Sequence, residues 1–173
     1  MADKEQVCNS QIERTLVVFK PDAVQRGIVG EILTRFERVG LKIIGTKMLA
    51  PNREHYYTHY EEIGKMVTRR GDKAFTITLD FMTQGPVMVF EGVEAVSLVR
   101  KLVGGTEPKS SAPGTIRGDY SHISFGYADA QDKAIPNLIH ASGDPSEARQ
   151  EISHWFSDDE LYVYQSASER FCQ

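Results

Sequence analysis

An unbroken apolar run, Leu16-Val17-Val18-Phe19, ends at Lys20-Pro21, and no other stretch constrains the fold as much. It is too short for a helix and β-branched at its centre. Proline, which cannot donate to a ladder, stops it, so residues 15–20 are expected to form a buried strand.

The rest of the chain supplies elements to cover that strand. Ile28, Ile32, Leu33, Phe36 and Val39 recur at helical spacing, and Gly40 stands where a C-terminal cap belongs. A second strand is expected over 41–49, closed by Pro51. Residues 52–60 suit a short aromatic-rich helix with Asn52 as its cap. Asp72 can cap a helix carrying Phe75, Leu79 and Met82, which Gly85-Pro86 closes. A third strand over 87–90 precedes a helix over 93–103, with Val96, Val99 and Leu102 inward, and residues 104–118 read as irregular. A short strand over 137–140 leads to Asp144-Pro145-Ser146-Glu147: a capping acid, a first-turn proline and a glutamate three places after the cap. Ala148, Ile152 and Phe156 stripe that helix, and residues 157–160 start one more.

This order predicts an α+β fold, a ferredoxin-like split βαβ arrangement with a four-stranded antiparallel sheet and helices packed on it. A flavodoxin-like parallel sheet would need a fifth strand, which the pattern does not offer.

With 173 residues, 40% of them apolar, residues 1–173 are expected to form one domain behind a polar tail over 1–12. The net charge of −4, with no dominant Lys/Arg run, argues against nucleic acid as the main partner. It leaves room for a local pocket that binds a few phosphates. Cys8 and Cys172 form neither a disulfide framework nor a zinc spacing. No apolar run approaches the ~20 residues that cross a membrane, and residues 1–11 lack a signal-peptide core. A cytoplasmic protein without a membrane partner is the expectation.

Several residues suit phosphate chemistry, which needs fixed cations and donors around developing negative charge. Lys20 ends the first strand, Arg100 lies on the third-strand helix, and Thr106 and Arg117 bracket the irregular loop. Each alone reads equally as a solvated group, and no Walker A loop is present. His140 ends a short apolar strand, and Glu151 follows on the next helix beside the core position Ile152. A strand–turn–helix unit can fold that carboxylate against the imidazole, with Ser142 bridging, and leave one ring nitrogen as a nucleophile. A core histidine satisfied by a backbone carbonyl fits the same spacing. His55 and His59 are four apart, as a metal pair would be, but no third ligand stands out, so no metal site is assigned. His122 and His154 read as surface groups. Tyr56, Tyr57 and Tyr60 suit either a base pocket or core packing.

Three segments carry a resemblance to a known family: E-R-T-L-V-V-F-K-P-D-A-V-Q-R-G (13–27), P-G-T-I-R-G-D (113–119) and N-L-I-H-A-S (137–142). Together they resemble the signatures of nucleoside diphosphate kinases. The resemblance implies a phosphohistidine on His140, oriented by Glu151, and a ping-pong exchange between nucleoside tri- and diphosphates with Mg2+ carried on the nucleotide. It places Lys20, Arg100, Thr106 and Arg117 around the phosphates, Asn137 and Lys20 at the ribose, and Tyr60 near the histidine. It also implies a homo-oligomer, with hexamers the commonest form.

The chain departs from that family pattern in three places. Gly143 stands where an aspartate usually follows the serine, so a carboxylate near the nucleotide magnesium is lost or supplied by Asp144. Extra residues over 63–72 precede the helix on which the family stacks the base; counting back from Gly85-Pro86 reaches Ala74, and its neighbour Phe75 is the expected platform. A second insertion spans 124–136, and both insertions are expected to be surface loops. A binding protein that has lost phosphotransfer, and a nucleic-acid regulator, are the readings from other classes.

Overall fold

The computed structural model describes residues 11–82 and 85–172, with the side chain of Cys172 left aside. Cys8 and nearly all of the polar tail lie outside the described residues. Strand β1 spans Ile12–Phe19 and is followed at once by a short helix, α1, Pro21–Gln25. Sequence patterning reads Pro21 as a stop, but its fixed φ and missing N–H also suit the first helical position, and here it starts a helix. Helix α2 is Val29–Arg38, strand β2 is Lys42–Leu49, and α3 is Arg53–Tyr57. Asn52 caps α3 as expected, accepting the His55 N–H. The expected single helix over 52–60 instead widens into a π-helix, Thr58–Ile63.

Next come α4, Met66–Arg70, and α5, Asp72–Phe81, which is led by Gly71 in a left-handed conformation (φ 84°) rather than capped by Asp72. Strand β3, Gly85–Val93, precedes α6, Ala95–Val103, in which Val103 takes the buried place expected of Leu102. The stretch expected to be irregular contains a 3-10 turn, Pro108–Ser110, and α7, Ile116–Tyr120. Helix α8 is Phe125–Ala130, β4 is Ile139–Ala141, α9 is Pro145–Trp155, a 3-10 turn spans Asp158–Glu160, and α10 is Glu169–Cys172. Both insertions therefore contain a short helix, α4 and α8, where loops were expected.

The sheet order is β2-β3-β1-β4, with every pairing antiparallel. Side chains alternate across β1. Val17 and Phe19 join Ile32, Phe36, Val99 and Ile116 on one face, while Leu16 and Val18 join Tyr56, Leu79, Ile152 and Trp155 on the other. Burial on both faces explains why β1 reads as a continuous apolar run. Strand β4 is short because Leu138 turns the chain just before it, with φ at 72°. A left-handed leucine costs about 1–2 kcal/mol. The Asp22 carboxylate accepts the Leu138 N–H (2.9 Å) and the Leu138 carbonyl accepts from Lys20 N (2.9 Å), which hold the turn.

Candidate active site

His140 stands opposite Val18 across the β1–β4 ladder and so points to the face covered by the π-helix and α9. Its Nε2 lies 2.7 Å from Glu151 Oε1, and Glu151 is fully buried. The other Glu151 oxygen accepts the Ser142 hydroxyl at 2.6 Å, while Ser142 Oγ accepts the Leu16 N–H at 3.1 Å. Strand β1 therefore holds the serine, the serine holds the glutamate, and the glutamate holds the imidazole. Burial, helped by the nearby Lys20, lowers the His140 pKa to about 3, and burial raises that of Glu151. His140 is thus neutral at ordinary pH. Its Nε2–H donates to Glu151, which leaves Nδ1 with a free lone pair. Of the alternatives that the spacing left open, a histidine tied to a carboxylate and a cavity is the one realised.

The wider coil of the π-helix brings two rings against His140. His59 meets it edge-on with centroids 4.5 Å apart, and Tyr60 does so at 5.8 Å. π-turns of this kind often mark functional positions. His59 Nδ1 accepts the Trp155 indole N–H at 3.1 Å. His59, His140 and Glu151 put ligand-type atoms within 4.8 Å of one another, but His59 Nδ1, His140 Nε2 and Glu151 Oε1 are already engaged in hydrogen bonds inside the protein. His55 is turned away and stacks on His154 at 3.9 Å, so the suggested His55–His59 metal pair does not form. Half-buried His154 is thereby not the surface group expected, whereas His122 is exposed.

His140 opens onto a cavity of about 770 Å³ whose lining includes Lys20, Tyr60, Arg100, Thr106, Arg117 and Asn137, together with Arg69, Arg70, Lys73 and Lys133. Lys20 is buried, and that burial, with the Arg117 charge, lowers its pKa to about 7. Arg117, expected at the phosphates, spends most of its donors on the backbone: Nε to Asn137 O, Nη1 to Gly104 O and Gly105 O, and Nη2 to Ile139 O. It first stitches the 104–105 loop to the histidine strand, with one Nη2 hydrogen left over. Asn137 donates to Thr106 O at 2.8 Å, while its buried Oδ1 has no hydrogen-bond partner among the described residues.

Phe75 is a correction. It is buried in the core against Tyr57, with centroids 5.6 Å apart, and does not line the cavity. Ala74, Ile77, Thr78 and Phe81 line it instead, because α5 presents the opposite side to the site. Sequence reasoning also missed the insertions' own contribution. The Arg70 guanidinium sits 4.9 Å over the Phe125 ring, so the two insertions meet at the cavity, and Lys73, one residue past the first insertion, pairs with Asp132 of the second at 2.5 Å. The Arg69-Arg70 doublet beside Gly71 was the available signal.

A fixed imidazole nitrogen opening onto anion-binding groups is the chemistry of phosphotransferases that carry the phosphoryl group on histidine. The family model described as nucleoside diphosphate kinase matches residues 13–161. The chain is 48% identical to a nucleoside diphosphate kinase of Pyrococcus furiosus, over 94% of each protein. It superimposes on a transition-state mimic of the Borrelia burgdorferi enzyme with bound vanadate and ADP, with a TM-score of 0.90 and 41% identity, covering 94% of this chain and 98% of that one. A Halobacterium salinarum enzyme in complex with CDP gives 0.78 and 37%, over 92% and 97%. The chain belongs to the nucleoside diphosphate kinase family. It is a kinase that passes a terminal phosphate between nucleotides by the family's ping-pong cycle, and it adopts the ferredoxin-like α+β fold.

Proposed function

We propose that His140 Nδ1 is the nucleophile. The observation that carries this is the neutral imidazole, tied through Nε2 to buried Glu151 and facing a cavity lined with cations. A nucleoside triphosphate enters with Mg2+ on its phosphates, and Nδ1 attacks the terminal phosphorus. The diphosphate leaves, and a second diphosphate takes the phosphoryl group from the histidine. Glu151 stabilises the ring as it gains positive charge, and Ser142 keeps the carboxylate in place. Lys20, Arg100, Thr106 and the remaining Arg117 hydrogen meet the phosphates, joined by Arg70. Lys20 and Asn137 Oδ1 serve the ribose, and Tyr60 shields the imidazole. Positioning and charge account for most of the rate, since phosphoryl transfer asks for little covalent work beyond the nucleophile. The chain works as one domain in the cytoplasm, as a homo-oligomer, with neither nucleic acid nor membrane as its main partner. Among the described residues no helix is long and apolar enough to cross a membrane.

The test is labelling with a γ-labelled triphosphate and no acceptor. The expected product is an acid-labile, base-stable phosphoprotein that added diphosphate discharges and that His140→Gln cannot form. An acid-stable label, or one that persists in the variant, moves the nucleophile elsewhere.

A further inference from the structure

The departure at Gly143 and the placement of the Glu147 side chain explain one another. The Gly143 N–H donates to Glu147 Oε2 at 3.0 Å, and a Cβ built on Gly143 would run into that same oxygen. Helix α9 has folded its Glu147 carboxylate back over the glycine, into the space a side chain at 143 would occupy. Glu147 therefore does not close a capping box on Asp144, as its spacing suggests. Asp144 is itself engaged: its Oδ1 accepts both Ser146 N–H and Glu147 N–H, at 2.8 and 2.9 Å, and its side chain is exposed. The carboxylates that line the cavity among the described residues are Asp129, Asp144 and Glu147. Asp129 is exposed on α8, in the second insertion. Glu147 is half-buried, lines the cavity together with His140, and its Oε1 makes no hydrogen bond among the described residues.

A free carboxylate oxygen beside the nucleophile repels the phosphates that must come there, unless a cation stands between them. Magnesium is commonly held this way, by one or two carboxylates together with substrate phosphates, and it keeps much of its water. We propose that Glu147 is the residue that engages the divalent cation carried on the nucleotide, standing in the space that Gly143 leaves open. Asp144 does not supply that group. Glu147 thereby discriminates between the metal-bound nucleotide and the bare one, by attraction to the first and repulsion of the second. This rests on the nucleotide site proposed above.

The test is titration calorimetry of ADP with magnesium and with chelator, on the wild-type chain, on Glu147→Gln, and on the double variant Gly143→Asp, Glu147→Ser. Glutamine keeps an acceptor for Gly143 N–H but removes the charge. Wild type should bind ADP more tightly with magnesium. Glu147→Gln should bind bare ADP at least as well as wild type and lose about tenfold of the magnesium gain. The double variant, which moves a carboxylate to 143, should recover most of it. If Glu147→Gln does not fold, Glu147→Ala gives the same ratio. An equal loss with and without magnesium, as a merely structural role predicts, overturns the proposal, and so does an unchanged magnesium gain. Wild type that binds no ADP under either condition removes the nucleotide reading itself.

Discussion

Lys20 shows how a single side chain can be tuned by where the fold puts it. Its ammonium is buried beside Arg117, and both effects work against the charge, so the free protein holds Lys20 near a pKa of about 7. Asp22 works in the opposite direction but is outweighed. A polyphosphate entering the cavity brings negative charge to that ammonium and must raise its pKa again. At about one pH unit above 7, Lys20 is mostly neutral before binding and mostly charged after it, so nucleotide binding should take up close to one proton. Calorimetry in two buffers of different ionisation enthalpy reads that number directly. No uptake in wild type, or the same uptake in Lys20→Met, assigns the proton elsewhere. His140 makes the opposite case: with a pKa of about 3 it stays neutral through the same range, so a loss of activity between pH 8 and 5 is not its titration.

At the scale of elements, α5 decides which aromatic meets the base. Phe75 faces Tyr57 and the core, while Phe81 lies on the side that lines the cavity. Phe81→Ala should therefore weaken binding of all four nucleoside diphosphates about ten- to a hundredfold, in line with roughly 1–3 kcal/mol for a stacked base. Phe75→Ala should cost about 3–5 kcal/mol of stability and leave the affinities of the folded protein nearly unchanged. Parallel urea and nucleotide titrations on the two variants check this, and a reversed pattern would return the base to Phe75. The same helix marks the limit of what the sequence discloses. Sequence position places 74 and 75 next to each other, but only packing says which of them turns inward. Strand β1 was legible from its short, β-branched apolar run, whereas the His140–Ser142–Glu151 unit was legible only with the family resemblance, because its spacing also suits a core histidine tied to a backbone carbonyl. The π-helix was not, since a one-residue widening has no compositional signature. Nor was α1, because Pro21 suits a stop and a start alike.

For the molecule as a whole, β2 and β4 are the outer strands of the sheet; Met48 and Leu49 on β2 are exposed, and so are Tyr162 and Val163 in the segment beyond α9 whose Tyr162 N–H donates to Ile44 O on β2. Exposed apolar groups beside an outer strand suit association. Sedimentation equilibrium is expected to give six chains per particle, and a monomer at micromolar concentration would contradict the oligomer. The two insertions lie elsewhere, meeting each other at the cavity through Arg70 on Phe125, with Lys73 just past the first insertion pairing with Asp132 of the second. Each contact is weak, since the ion pair is exposed to solvent and screened by salt and the ring contact is also at the surface, yet each needs both segments. For anyone trimming or transplanting parts of this chain, residues 63–73 and 124–136 are therefore a single cassette: excising one leaves Arg70 and Lys73, or Phe125 and Asp132, without their counterparts, whereas removing or grafting both together keeps these two pairs matched.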